Sequence, residues 1–232
     1  MLEKPRVHSV DTFVHTYRFQ HVDAVVPSTK TLYNYIHQGL LEIKVIDLPR
    51  AVRIRKKFNK RPSTKKHLGK SIEERPEEIN NRSRFGDWEI DSVLGGKTVG
   101  ETSILTLVER QTRYAVTKKL VEKKAEYVNQ AVLECMKLYP IKSITADNGN
   151  EFSSLSKIEG LDVYFAHAYS SYERGTNENF NGLLREFIPK GSSLKKLNPT
   201  LLEDYTKAIN ERPRRIHDYQ SAKKLFELTQ TA

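Results

Sequence analysis

The stretch SITADNGNEF, Ser143 to Phe152, carries strand-forming residues into Asp147, then the turn pair Asn148-Gly149, and then a second acid, Glu151. Taken alone, Asp147 reads as a turn former, since Asp before Asn-Gly is common turn chemistry. Asp91 closes another short strand-like run, DWEIDSVLGG. Glu178 stands in the first turn of a predicted helix, where the helix dipole favours an acid on structural grounds alone. As a set the three say more than they do singly. Carboxylates a few ångströms apart repel one another by several kcal/mol at an effective dielectric of about 20, so a fold keeps such a cluster only where cations neutralise it. Hard carboxylate oxygens select Mg²⁺ or Mn²⁺, and two ions about 4 Å apart suit in-line attack on a phosphodiester. One ion would activate water or a 3′-hydroxyl, and the other would stabilise the leaving oxygen.

Other acids are weaker candidates. Glu89 shares the strand face of Asp91 and reads as an auxiliary carboxylate. Glu151, one turn after Asp147, fits a first-turn cap better than a metal ligand. Cys135 is the single cysteine and falls in an apolar helical pattern, so neither an internal disulfide nor a thiolate zinc site is open to the chain. There is no Gly-rich phosphate loop and no Ser-His-Asp pattern.

The elements that must position these acids follow from periodicity. In DWEIDSVLGG, Trp88 and Ile90 point one way and Glu89 and Asp91 the other. TSILTLVER and RYAVTKKL form a hairpin across Gln111-Thr112. EKKAEYVNQAVLECMKLYP is an amphipathic helix stopped by Pro140. IKSITAD is a buried strand, NEFSSLSKIEG a short helix, DVYFA a further strand, and TNENFNGLLREF a helix broken by Pro189. This order predicts an α/β fold whose sheet has an antiparallel hairpin edge and parallel inner strands, flanked by helices. In such sheets ligands collect where inner strands end.

Upstream, the pattern is a small helical unit over residues 1–49. VPSTKTLYNYIHQGLL reads as a helix capped by Ser28 or Thr29 and ended by Gly39, after a first helix carrying Val10, Phe13, Val14 and Tyr17. With Lys30, Thr31 and Asn34 exposed, the pair suits a helix-turn-helix, or equally a helical cap or dimerisation piece. Residues 50–77 form a basic linker or arm, and residues 78–232 the larger domain with its C-terminal helices. The 232 residues carry 39 Lys+Arg against 29 Asp+Glu, a net charge of +10. Ten of those cations lie in residues 50–70, which contain no acid. Lys56, Lys57, Arg61, Lys65 and Lys66 in this arm are candidates to run along duplex phosphates, each neutralised phosphate adding about −0.9 to the salt slope of binding. A solvated connector is the alternative. No apolar run approaches the length of a membrane helix and no secretory signal opens the chain, so no membrane partner is expected and the cytoplasm is the default.

GDWEIDSVLG, LTLVERQTRY, ITADNGNEF and above all YFAHAYSSYERGTNENFNGLLREFIPKGSSL resemble the integrase-like catalytic core of the insertion-sequence thirty family of bacterial transposases, from about Phe85 to about Arg214. The resemblance implies a ribonuclease H-like fold and a DDE triad of Asp91, Asp147 and Glu178 acting with Mg²⁺, as two ions or with Mn²⁺ in their place. It further implies cutting and joining of DNA at terminal inverted repeats, a homo-oligomer on DNA and a bacterial, nucleoid-associated setting. The spacing E-x-x-N-x-x-L-R carries Asn181 and Arg185 onto the DNA near the metals, with Leu184 in the core. Arg174, a further DNA contact, and Gly175 shape the loop before the last helix, where His167 and Tyr169 could also touch DNA. Thirty residues separate Asp147 from Glu178, fewer than such triads usually carry, and Ala168, Tyr172 and Phe180 depart from the family pattern. With only the first 77 residues ahead of the core, a product shortened upstream is expected. That leaves two alternatives: a DNA-binding fragment that represses transposition, and a ribonuclease of the same fold.

Overall fold

A computed structural model describes residues 9–48, 68–96, 101–168 and 170–231. The arm cations Lys56, Lys57, Arg61, Lys65 and Lys66 lie outside the described residues, as does Tyr169.

One six-stranded sheet organises the larger part of the molecule. Its strands are β1 (Lys70–Ser71), β2 (Asp87–Leu94), β3 (Ser103–Glu109), β4 (Ala115–Leu120), β5 (Ser143–Ala146) and β6 (Asp162–Phe165), in the order β1-β6-β5-β2-β3-β4. β2 with β3 and β3 with β4 are antiparallel, whereas β2 with β5, β5 with β6 and β6 with β1 are parallel. This is the mixed α/β arrangement, an antiparallel hairpin edge beside parallel inner strands, that the sequence leads one to expect. The hairpin turn between β3 and β4 is fixed by Glu109, whose buried carboxylate accepts from the backbone N–H of Thr112 (2.6 Å) and from its hydroxyl (2.7 Å).

Helices cover both faces. α4 (Ala125–Leu138) lays Val128, Ala131, Val132 and Cys135 on one face, against Trp88, Ile90, Leu105 and Leu107. On the other face α5 (Gly175–Leu184) and α6 (Pro199–Asn210) bury Phe180, Leu184, Leu202 and Ile209 against Ile104 and Val108. β3 is therefore apolar on both sides and buried along its whole length. α7 (Ala222–Gln230) completes the first core with Phe226, whose ring stacks on Tyr114 at 4.3 Å and meets Trp88 edge-on at 5.9 Å. The N-terminal helices α1 (Val10–Gln20) and α2 (Thr29–His37) are capped by Ser9 and Ser28, each accepting from a backbone N–H in its first turn. α1 docks through Tyr219, which stacks on His15 at 3.6 Å and donates to Asp11 at 3.2 Å, and α2 is tied to α1 by Thr29, whose hydroxyl donates to Asp11 at 3.1 Å. Among the described residues no helix is long and apolar enough to cross a membrane.

Three elements differ from expectation. Lys70 and Ser71, placed by charge in the arm, pair with Tyr164 and Phe165 and so open the sheet well before residue 78; two paired residues are too few to leave a periodicity. The short helix expected over NEFSSLSKIEG is two 3₁₀ turns, Asn150–Phe152 and Leu155–Lys157. Ser153 bonds locally to the backbone, its Oγ donating to the Asn150 carbonyl at 2.7 Å, in competition with a continuous helix. α5 ends at Leu184, ahead of Pro189. The helix α3 (Glu77–Asn80), a single turn leading into β2, completes the described helices.

Candidate active site

The sheet register explains why Asp91 and Asp147 meet. β2 and β5 are parallel with Glu89 level with Thr145, and two residues further along each strand stand Asp91 and Asp147. β5 has ended by then, so the two acids face each other where neighbouring strands part, the general position for a ligand crevice in such sheets.

Between them lies a cation supplied by the chain itself. Arg174 is buried, with Nη1 at 3.3 Å from Asp91 Oδ1 and Nη2 at 3.2 Å from Asp147 Oδ2. Nη1 also donates to the Ile90 carbonyl at 3.3 Å. Asp91 accepts from Asn181 Nδ2 at 3.0 Å and from the Ser92 N–H at 2.8 Å. Burial raises the Asp91 carboxyl above the ordinary carboxylate range; the Arg174 charge opposes the shift, and the Asp147 charge adds to it. Asp147 Oδ1 accepts from the Gly149 N–H at 2.8 Å, the expected turn. Gly149 leaves room there for two carboxylates. A Cβ at 149 would stand 2.8 Å from Asp147 Oδ1 and 2.6 Å from Glu151 Oε2.

The three residues assigned to DNA near the metals turn inward. Arg174 holds the aspartates, Asn181 holds Asp91, and Arg185 donates to the Leu94 carbonyl at 3.0 Å. Each keeps capacity in reserve: among the described residues Arg174 Nε, Asn181 Oδ1 and Arg185 Nη1 are buried without a hydrogen-bond partner. Glu178 is exposed and makes no hydrogen bond or ion pair among the described residues. No group of three or more acids, histidines or cysteines there is close enough to hold a metal. Two members of the expected triad are brought together, and the third stands on α5, next to Asn177 in sequence.

Glu89 is not an auxiliary ligand. It is fully buried, ion-paired with Arg110, and accepts from the Asn177 backbone N–H at 2.9 Å. The Asn177 amide in turn donates to the Glu89 and Thr106 carbonyls, both at 3.0 Å, and accepts from the Thr106 hydroxyl at 2.8 Å. This network bolts the first turn of α5 to β2 and β3, so it sets where Glu178 is displayed. Its only trace in the sequence is the pair of polar residues, Thr106 and Asn177, at core positions. Glu151 is buried and paired with Lys123 at 2.8 Å rather than capping its turn. His167 Nδ1 meets Glu173 at 2.8 Å and Nε2 meets Glu73 at 3.4 Å, tying the loop that carries Arg174 to the segment after β1.

The chain is 95% identical over all 232 residues to a probable transposase for insertion-like sequence element IS1161 of Streptococcus salivarius, of which it covers 68%. The chain belongs to the insertion-sequence thirty family of transposases. The transposase InsI for insertion sequence element IS30A of Escherichia coli (strain K12) is 36% identical over 165 residues, 68% of this chain and 42% of that protein. The chain thus spans about two thirds of the first of these family members and under half of the second. No family model matches the sequence. Among solved structures, the catalytic core domain of BIV integrase superposes with a TM-score of 0.48 and 16% identity, over 63% of this chain and 96% of that one.

Proposed function

We propose that the chain cuts and joins DNA at the ends of an insertion sequence in a reaction dependent on Mg²⁺ or Mn²⁺, with Asp91, Asp147 and Glu178 as its catalytic acids. One observation carries this reading: a guanidinium clamped between two strand-end carboxylates that the sheet register sets level. A pair of acids that needs a cation to sit together, with the Asn181 side chain bonded to one of them and its Oδ1 buried without a partner among the described residues, is a set of hard oxygens suited to a divalent ion. Asp91 and Asp147 would hold it, with Glu178 from the first turn of α5. When bound, the ion supplies Lewis-acid stabilisation of phosphate oxygens and a nucleophile at neutral pH.

The chain's own residues do the rest. Asn181 fixes the rotamer of Asp91 through its amide, and the Ser92 N–H holds the other oxygen of that carboxylate. The Glu89–Asn177 network fixes the start of α5, so Glu178 is displayed from a rigid base. Arg174 neutralises the aspartates before the ion arrives and is then free to meet the negative charge of a DNA strand. The expected partners are DNA ends and a second copy of the chain on them.

The test uses oligonucleotides bearing the element's terminal repeat with Mg²⁺ or Mn²⁺. Nicking or joining is expected, and Asp147→Asn is expected to remove it while leaving the fold intact; wild-type activity in Asp147→Asn would overturn the assignment. A second reading, occupation of transposon ends without cutting, draws on the isolation of Glu178 from the other two acids. Divalent-dependent cleavage above an Asp91→Ala control would eliminate it. A duplex DNA substrate cut in preference to an RNA:DNA hybrid would separate the proposal from a ribonuclease.

A further inference from the structure

Beside α5, between α1 and the segment that follows α6, lies a cavity of about 370 Å³ into which the active-site acids do not reach. Arg113 lines it from the β3–β4 turn, and Arg212, Arg214 and Arg215 line it from the segment after α6. Asp11 is the single carboxylate in its wall, and that group already accepts from the Thr29 hydroxyl at 3.1 Å and from Tyr219 at 3.2 Å. Arg212 is engaged by Glu186 at 2.9 Å and lies over the Phe187 ring.

Among the described residues, Arg113 and Arg214 have neutral partners only. Arg113 donates to the Thr176 hydroxyl at 2.9 Å, and Arg214 reaches the Ile209 carbonyl at 3.4 Å with its Nε unpartnered. Neither pairs with a carboxylate among the described residues. Burial, and then the charge of Arg212, lower the Arg214 guanidinium to about 10. Half-buried like charges without a carboxylate partner among the described residues are costly, and a fold that keeps them in the wall of a cavity gains from an anion placed there.

We propose that this cavity is a phosphate-binding site, held chiefly by Arg113, Arg214 and Arg215. The same chemistry serves two sources, a phosphate of a DNA backbone or free phosphate. Asn179, in the cavity wall, directly follows Glu178 on α5, so the two sites flank adjacent faces of one helix. A strand leaving the acids could therefore be gripped one helix-width away.

The full chain without divalent ions would be titrated with inorganic phosphate, and separately with a random-sequence DNA duplex at several salt concentrations. These conditions make the outcome independent of cleavage and of terminal-repeat recognition. For free phosphate, Arg214→Gln is expected to weaken binding about tenfold, and Arg215→Ala, an exposed change that spares the fold, severalfold. For a backbone phosphate, the salt slope is expected to fall by about 0.9 in each variant. Either result supports the site and names its source. Unchanged phosphate affinity together with an unchanged slope in Arg215→Ala, or in a folded Arg214→Gln, overturns it.

Discussion

Glu89 and Asp91 stand two residues apart on the same face of the same strand, and the fold uses them in opposite ways. Glu89 is paired on both sides by β3 and β5, fully buried, and closed by Arg110 and the Asn177 N–H. Asp91 lies one step beyond the end of β5 and is more than a quarter exposed. It is held by Arg174 and Asn181, which have buried atoms to spare. One acid is a finished ion pair inside a core, and the other is an unfinished one at its edge. The end of a neighbouring strand decides which is which.

The sharpest way to break this contrast is to neutralise each acid in turn. Glu89→Gln leaves Arg110 buried without its counter-charge and is expected to cost about 3–5 kcal/mol in chemical denaturation. Asp91→Asn is expected to cost less than about 1 kcal/mol and to bring DNA cleavage down to the level of a protein-free control. Equal losses of stability in the two variants would show that both acids belong to the core.

Next in size is the cation between the aspartates. Arg174→Ala removes the guanidinium that a divalent ion must displace, so Mn²⁺ binding without DNA, followed by electron paramagnetic resonance, is expected to tighten about tenfold, or 1.4 kcal/mol. The metal-free variant is expected to melt lower, because Asp91 and Asp147 then repel without a partner. Unchanged or weaker Mn²⁺ binding would place the ion elsewhere.

Gly149→Ala probes the other side of the crevice. The backbone φ of −72° is ordinary, so the change acts only through the added Cβ on the Asp147 and Glu151 carboxylates. Both are ends of side chains that can give way. Stability is therefore expected to fall by less than about 1 kcal/mol while Mn²⁺ binding weakens severalfold. A large loss of stability with intact Mn²⁺ binding would make Asp147 a turn residue only.

Much of this arrangement is legible in the order of residues along the chain. Alternation in DWEIDSVLGG puts Asp91 on a polar face, and the apolar run ending at Asp147 puts it at a strand end. The layered order of strands and helices follows from periods of two and 3.6. What stays hidden depends on contacts between distant residues. Arg110 reaches Glu89 across a hairpin, Asn177 reaches Thr106 from another element, and Arg174 reads as a loop residue facing DNA until the register brings the two aspartates beneath it. β1 leaves no local signal because pairing with β6, rather than any pattern of its own, makes two residues of a basic segment into a strand.

The smallest expected effect concerns how firmly Arg174 is held. His167 Nδ1 bonds Glu173, its backbone N–H donates to the same carboxylate at 2.8 Å, and its Nε2 faces Glu73. The hydrogen bond and then the charge of Glu173 raise the imidazole above its usual 6.5. A histidine whose folded value is raised contributes its full stability below about 6.5 and loses it as pH rises through the folded value. His167→Gln removes the charge, so the gap in denaturation midpoint between wild type and variant is expected to be larger at pH 6 than at pH 8.5. The ring is partly exposed, so the gap should also shrink in high salt. A gap independent of pH would mean that His167 tethers the loop as a neutral hydrogen-bonding group, and Arg174 would then be held alike on either side of neutrality.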